Sequence, residues 1–107
     1  RALVEMAANE SDLNLINPLE PPPMGDCDLA EIKQTFGSKI ALMGNLHTTG
    51  VMLLGTPDDV AEAAKWCIDV AGEGGGYILS TGDQCGRDTP DENIRTLVDV
   101  ARSYGKY

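Results

Sequence analysis

Two segments of this chain open on the same three residues, run for the same length and close on glycine: "TPDDVAEAAKWCIDVAG" (56–72) and "TPDENIRTLVDVARSYG" (89–105). Each carries the signals that start and stop a helix. In the first, Thr56 is the N-cap, Pro57 takes the first helical position, Asp58 and Asp59 meet the positive end of the helix dipole, and Gly72 closes the helix. Its inward stripe is Val60, Ala64, Cys67, Ile68 and Ala71. In the second, Thr89 and Glu92 are predicted to form a capping box around Pro90. Ile94, Leu97, Val98 and Ala101 form its expected inward stripe before Gly105. A shorter helix starts at Asp28 with Glu31 three residues on, turns Leu29, Ile32 and Phe36 inward, and stops at Gly37.

Ahead of each of these helices lies an apolar run too brief to be helical: "LNLIN" (13–17), "KIALMG" (39–44) and "YILSTG" (77–82). They read as buried strands. The opening "RALVEMAANE" reads as the middle of a further helix, without an initiator Met or a secretory apolar segment. Helix and strand then alternate, and right-handed crossovers make consecutive strands parallel neighbours covered by helices, an α/β architecture. "EPPPMG" (20–25) is a stiff loop. A phosphate-cradling loop leaves a strand and opens a helix, whereas "GEGGG" (72–76) closes a helix and enters a strand. It is expected to be a tight structural turn.

With 107 residues, 42% of them hydrophobic, the chain can bury one core and not two. No apolar run approaches the roughly 20 residues of a membrane helix. Asp and Glu number 17 against 8 Lys and Arg, and the net charge of -9 repels phosphate backbones and anionic lipid heads. Neither nucleic acid nor a membrane is an expected partner. The three cysteines, Cys27, Cys67 and Cys85, are too sparse for a disulfide framework and read as reduced thiols in a cytoplasmic setting.

In parallel α/β folds, ligands meet the loops that leave the carboxyl ends of the strands. Those loops hold Glu20, Asn45, His47, Asp83, Gln84, Cys85 and Arg87. Each has a structural alternative. Glu20 is either a solvated loop carboxylate or a group pointing into a site, and Asn45 either accepts a turn geometry or contacts substrate. His47 has no Cys or His partner at metal spacing. Asp83 and Arg87 are placed to pair across the turn. Cys67 belongs to the core stripe, Cys27 lacks the cationic neighbour that would activate it, and Trp66 and Met52 read as packing residues.

The series "FGSKIALMGNL", "LLGTPDDVAEAAKWCIDVAGEGGGYILSTGD" and "DTPDENIRTLVDVARSYG" resembles the C-terminal part of the uroporphyrinogen decarboxylase superfamily, which includes the corrinoid-dependent methyltransferases. The resemblance runs from about Asp12 to Gly105. Its most specific pieces are Gly44-Asn45, the Gly-rich turn into "YILSTG", and the "TPDEN" helix start. It implies a TIM (β/α)8 barrel, which takes roughly 250 residues. Residues 1–107 would then be a single partial domain, the last three βα units of that barrel. Such a piece exposes sheet edges and apolar faces, so association with the missing N-terminal part of the barrel or with a second copy is expected.

The resemblance implies two competing chemistries. The decarboxylases carry Gly-Asn-Leu-Asp after the penultimate strand and Gly-His-Gly after the last, and need no cofactor. Here His47 replaces that Asp, and Asp83 replaces that His. The methyltransferase branch binds zinc through a His-x-Cys pair on an earlier strand and a Cys near the end of the last. The last loop here reads Gly82-Asp83-Gln84-Cys85-Gly86, which leaves Asp83 and Cys85 both open as the ligand. Glu20 matches the place from which related zinc methyltransferases supply a Glu. The leading expectation is therefore transfer of a methyl group between a small methylated substrate or acceptor and a corrinoid (cobalamin) carried by a partner protein. Asp83, His47 and Asn45 are the catalytic candidates, and Glu20 and Cys85 the zinc candidates. The alternatives are a tetrapyrrole decarboxylase and a structural half-barrel without chemistry of its own.

Overall fold

The computed structural model describes residues 2–17, 19, 21–22, 25–82 and 84–105. The elements alternate as the sequence predicts: α1 (Ala2–Glu10), β1 (Leu15–Ile16), α2 (Leu29–Phe36), β2 (Ala41–Leu46), α3 (Pro57–Ala71), β3 (Tyr77–Thr81) and α4 (Asp91–Ser103). A π-helical segment, Thr48–Leu53, is inserted between β2 and α3. The strands pair in the order β1-β2-β3, all parallel, with Ile16 opposite Leu42 and Leu42 opposite Tyr77. Each strand is followed by a helix that returns the chain toward the same end of the sheet, which is what parallel pairing demands.

The local signals explain where α2 and α3 begin. Asp28 Oδ1 accepts hydrogen bonds from the backbone N–H groups of Ala30 at 3.0 Å and Glu31 at 3.4 Å. Thr56 Oγ1 accepts from Asp59 N–H at 3.2 Å while Asp59 Oδ2 accepts from Thr56 N–H at 2.9 Å, a closed capping box. Val60, Ala64, Cys67 and Ala71 are buried along α3, as are Leu29, Ile32 and Phe36 along α2. The "GEGGG" turn is structural: Gly74, Gly75 and Gly76 all take positive φ, and Lys33 Nζ donates to the Gly75 carbonyl at 2.6 Å.

Helix α4 corrects two expectations. Its N-cap position falls on Pro90, with no side-chain hydrogen bond, so Thr89 and Glu92 form no capping box. Thr89 is buried instead, and its hydroxyl has no hydrogen-bond partner among the described residues. The buried stripe is Asn93 and Val100 with Leu97 packed beside them, while Ile94 and Val98 are 42% and 43% exposed and Ala101 is exposed. The cause is Asn93, whose Nδ2 donates to the carbonyls of Met52 and Gly55, both at 2.9 Å. Turning that amide toward the π-helical segment rotates α4 by about one residue, roughly 100°, and carries Ile94 and Val98 outward.

The helices cover the sheet face that bears Ile16, Leu42 and Tyr77, all buried. On the other face Leu15 and Ile78 are exposed and Ala41 and Met43 are half-buried. In a closed (β/α)8 barrel this second face is the interior. Among the described residues, no helix is long and apolar enough to cross a membrane.

Candidate functional site

Strand β2 runs on to Leu46, so Asn45 lies in the strand and His47 is the first residue beyond it. With the β1–α2 connection and one face of α3, this strand end encloses a cavity of about 410 Å³. Pro21, Pro22, Asp26 and Cys27 line it from the connection, Asp28 and Leu29 from the start of α2, Asn45, Leu46 and His47 from the strand end, and Ala63, Trp66 and Cys67 from α3.

Asn45 is buried and ties these walls together. Its Nδ2 donates to the Leu19 carbonyl at 3.0 Å, and its Oδ1 accepts from Cys67 Sγ at 3.7 Å. The first bond holds the β1–α2 connection against β2, and the second, weaker, reaches α3. Burial pushes the Cys67 thiol above its ordinary pKa, opposed by its hydrogen bonds with Asn45 and Tyr77. Tyr77 in turn donates its hydroxyl proton to the Gly44 carbonyl, beneath the same strand end.

His47 is half-buried, and its Nδ1 accepts the Gly50 backbone N–H at 2.7 Å. That bond caps the π-helical segment and, in the neutral ring, leaves the proton on Nε2. Gly50 gives the ring room, since a Cβ there would lie 3.2 Å from Nδ1, a tight contact. The "HTTG" spacing thus converts a loop histidine into an oriented N–H donor in the wall of a cavity.

The cavity brings Asn45 and His47 together, whereas Cys85, Gln84 and Arg87 lie on the loop after β3 and do not line it. Cys85 is half-buried against the core. Arg87 meets Asp88 at 3.5 Å, both side chains largely in solvent. Glu20 and Asp83 lie outside the described residues, and with them the expected Asp83–Arg87 pair. Among the described residues no three His, Cys, Asp or Glu side chains are grouped to hold a metal. A catalytic zinc takes about three protein ligands, so Cys85, the one expected donor that is described, is not by itself a site.

Sequence reasoning missed Trp66, which is 48% exposed at the cavity rim and not a packing residue. It also missed that Cys27 and Cys67 line the same cavity. The available signal was the spacing of Ala63, Trp66 and Cys67, which puts all three on one helical face.

The architecture is similar to that of a methyltransferase from Methanosarcina mazei, with a TM-score of 0.67 and 24% identity over 83% of this chain and 24% of that one. Residues 25–104 match the uroporphyrinogen decarboxylase (URO-D) family model, and the chain belongs to that family. The uroporphyrinogen decarboxylase of Coxiella burnetii is 29% identical over 77 residues, 72% of this chain and 21% of that protein. The methylcobamide:CoM methyltransferase MtbA of Methanosarcina acetivorans is 38% identical over 63 residues, 59% of this chain and 17% of that protein. The chain spans about a fifth of the length of the curated relatives it matches.

Proposed function

We propose that the chain supplies C-terminal βα units of a methyltransferase of this family, which moves a methyl group between a small methylated substrate or acceptor and a corrinoid held by a partner protein. The observation that carries this reading is the 38% identity to the methylcobamide:CoM methyltransferase, against 29% to the Coxiella decarboxylase. His47 supports it, being an imidazole where the decarboxylase pattern has a carboxylate. The cavity supports it as well, since among the described residues its lining includes no Lys or Arg to receive the carboxylates of a tetrapyrrole.

In this reading the corrinoid cobalt supplies the chemistry of methyl exchange. His47, held by Gly50, offers Nε2–H to a heteroatom of the bound molecule, and Asn45 keeps the walls in register while Leu29, Leu46 and Ala63 exclude water. The zinc expectation assigns Cys85, with Asp83 or Glu20, as this chain's donors beside ligands from elsewhere in the barrel. Decarboxylation of a tetrapyrrole is the second reading, favoured by coverage, since the Coxiella enzyme aligns over 72% of the chain against 59% for the methyltransferase. Incubating the full gene product with methylcobalamin and a thiol tests the proposal. Loss of the methylcobalamin spectrum with formation of the methyl thioether is the expected result, and an unchanged spectrum alongside porphyrinogen decarboxylation contradicts it.

A further inference from the structure

We infer that His47 is a proton-operated latch on the π-helical segment Thr48–Leu53: proton uptake at Nδ1 releases the first turn of that segment and, with it, the orientation of the ring in the cavity wall. The device rests on neither the methyl-transfer nor the decarboxylase reading. Its basis is one hydrogen bond, in which Nδ1 accepts the Gly50 N–H at 2.7 Å and so caps the segment. A ring nitrogen that accepts carries no proton, whereas a protonated imidazole carries N–H on both nitrogens. Proton uptake from solvent therefore sets two donors against each other, and either the ring or Gly50 has to move.

The far end of the segment is held independently of this bond. Gly55 donates its N–H to the Val51 carbonyl at 3.0 Å, and Asn93 Nδ2 holds the Met52 carbonyl from α4. Thr48 and Met52 are buried, whereas Thr49 and Gly50 are exposed, so the first turn can yield while the last stays pinned. Among the described residues, the titratable side chains that share the cavity with His47 are Asp26, Cys27 and Asp28 on the β1–α2 connection and Cys67 on α3. Residues 48–55 carry none, α4 meets the segment through the neutral Asn93, and Asp59 of α3, near Gly55, is engaged in the Thr56 capping box. The neighbouring charges influence the pH at which the ring takes its proton. They do not change the consequence at Gly50, where the accepting lone pair is consumed.

The test follows the full gene product, labelled with nitrogen-15 in histidine and glycine, by NMR from about pH 8 to about pH 5, the range in which an imidazole changes charge. At the alkaline end the His47 ring should carry its proton on Nε2. On acidification, protection of the Gly50 amide from hydrogen exchange, corrected for the intrinsic pH dependence of exchange, should fall about fivefold or more, the factor that an N-cap bond of ordinary strength sets. The fall should track the titration of the His47 ring, while Gly55, bonded to the Val51 carbonyl, keeps its protection. His47→Asn supplies a capping side chain that does not titrate, so its Gly50 protection should stay level. A ring proton on Nδ1 at the alkaline end, a ring that takes up no proton in this range, or Gly50 protection that ignores the ring's titration overturns the inference. Equal loss at Gly55 overturns it too, since the segment then melts as a whole, and so does the same acid loss in His47→Asn. The wild-type readings decide the question even if that variant misfolds.

Discussion

Replacing Asn93 by Ala should destabilise the fold more than replacing Ile94, its apolar neighbour in sequence. Asn93 is fully buried, and its Nδ2 donates to the carbonyls of Met52 and Gly55 at 2.9 Å each. Truncation leaves the two carbonyls short of that donor, at about 1–3 kcal/mol apiece where water cannot reach them. Part of this is offset, because the Asn93 Oδ1 itself has no partner among the described residues and its removal relieves about 1 kcal/mol. The net cost is about 1–5 kcal/mol. Ile94 is 42% exposed, and its truncation should cost under about 1 kcal/mol. Urea unfolding of the two variants reads the difference as a shift of the midpoint with unchanged slope. Should Ile94→Ala prove the more damaging, the rotation of α4 seen in the structure is wrong and the stripe expected from hydrophobic periodicity is right.

Asn45→Ala should cost about 1–3 kcal/mol, because it strips the buried Leu19 carbonyl of its donor; a cost below about 0.5 kcal/mol in the same unfolding assay would remove its role as a tie between walls. The Cys67 thiol, raised by burial, holds its proton in the folded chain at a pH where the unfolded chain has released it. Its contribution to stability is therefore complete below the ordinary thiol range and declines as pH rises through and beyond it. Cys67→Ala should flatten the alkaline fall in stability, and an unchanged profile would refute the assignment. Gly75→Ala places a side chain at φ +78 and should cost about 1–2 kcal/mol in the same assay, although nothing lies within 4 Å of the added Cβ. A cost near zero there would show that the turn relaxes away from its positive φ.

The alternation of helix and strand was legible because its signals are local. Asp28 and Thr56 meet their partners two or three residues away, and the parallel order comes from helices long enough to cross back over a sheet. The face of α4 was not legible, because it is set by bonds from Asn93 to residues 41 and 38 positions upstream, and a polar residue scores against burial in any hydrophobic pattern. Thr89 shows the same limit: the motif that caps α3 recurs before α4, and tertiary pull on Asn93 moves the helix start past it. At the site, position at a strand end pointed to Asn45 and His47, and both line the cavity. The pattern could not show that the Asn45 amide is committed to Leu19 and Cys67, nor that Trp66 stands at a rim, since both depend on how the β1–α2 connection packs.

Methyl transfer is separated from decarboxylation by offering one preparation of the full gene product two substrates in parallel, methylcobalamin with a thiol acceptor and a uroporphyrinogen, and following both by product chromatography. Methyl thioether formation that falls with His47→Asp, with no loss of carboxyl groups from the porphyrinogen, is what a methyltransferase with His47 in its cavity wall predicts. Stepwise porphyrinogen decarboxylation, with methylcobalamin untouched, would place the chain with the decarboxylases and overturn the methyl-transfer reading.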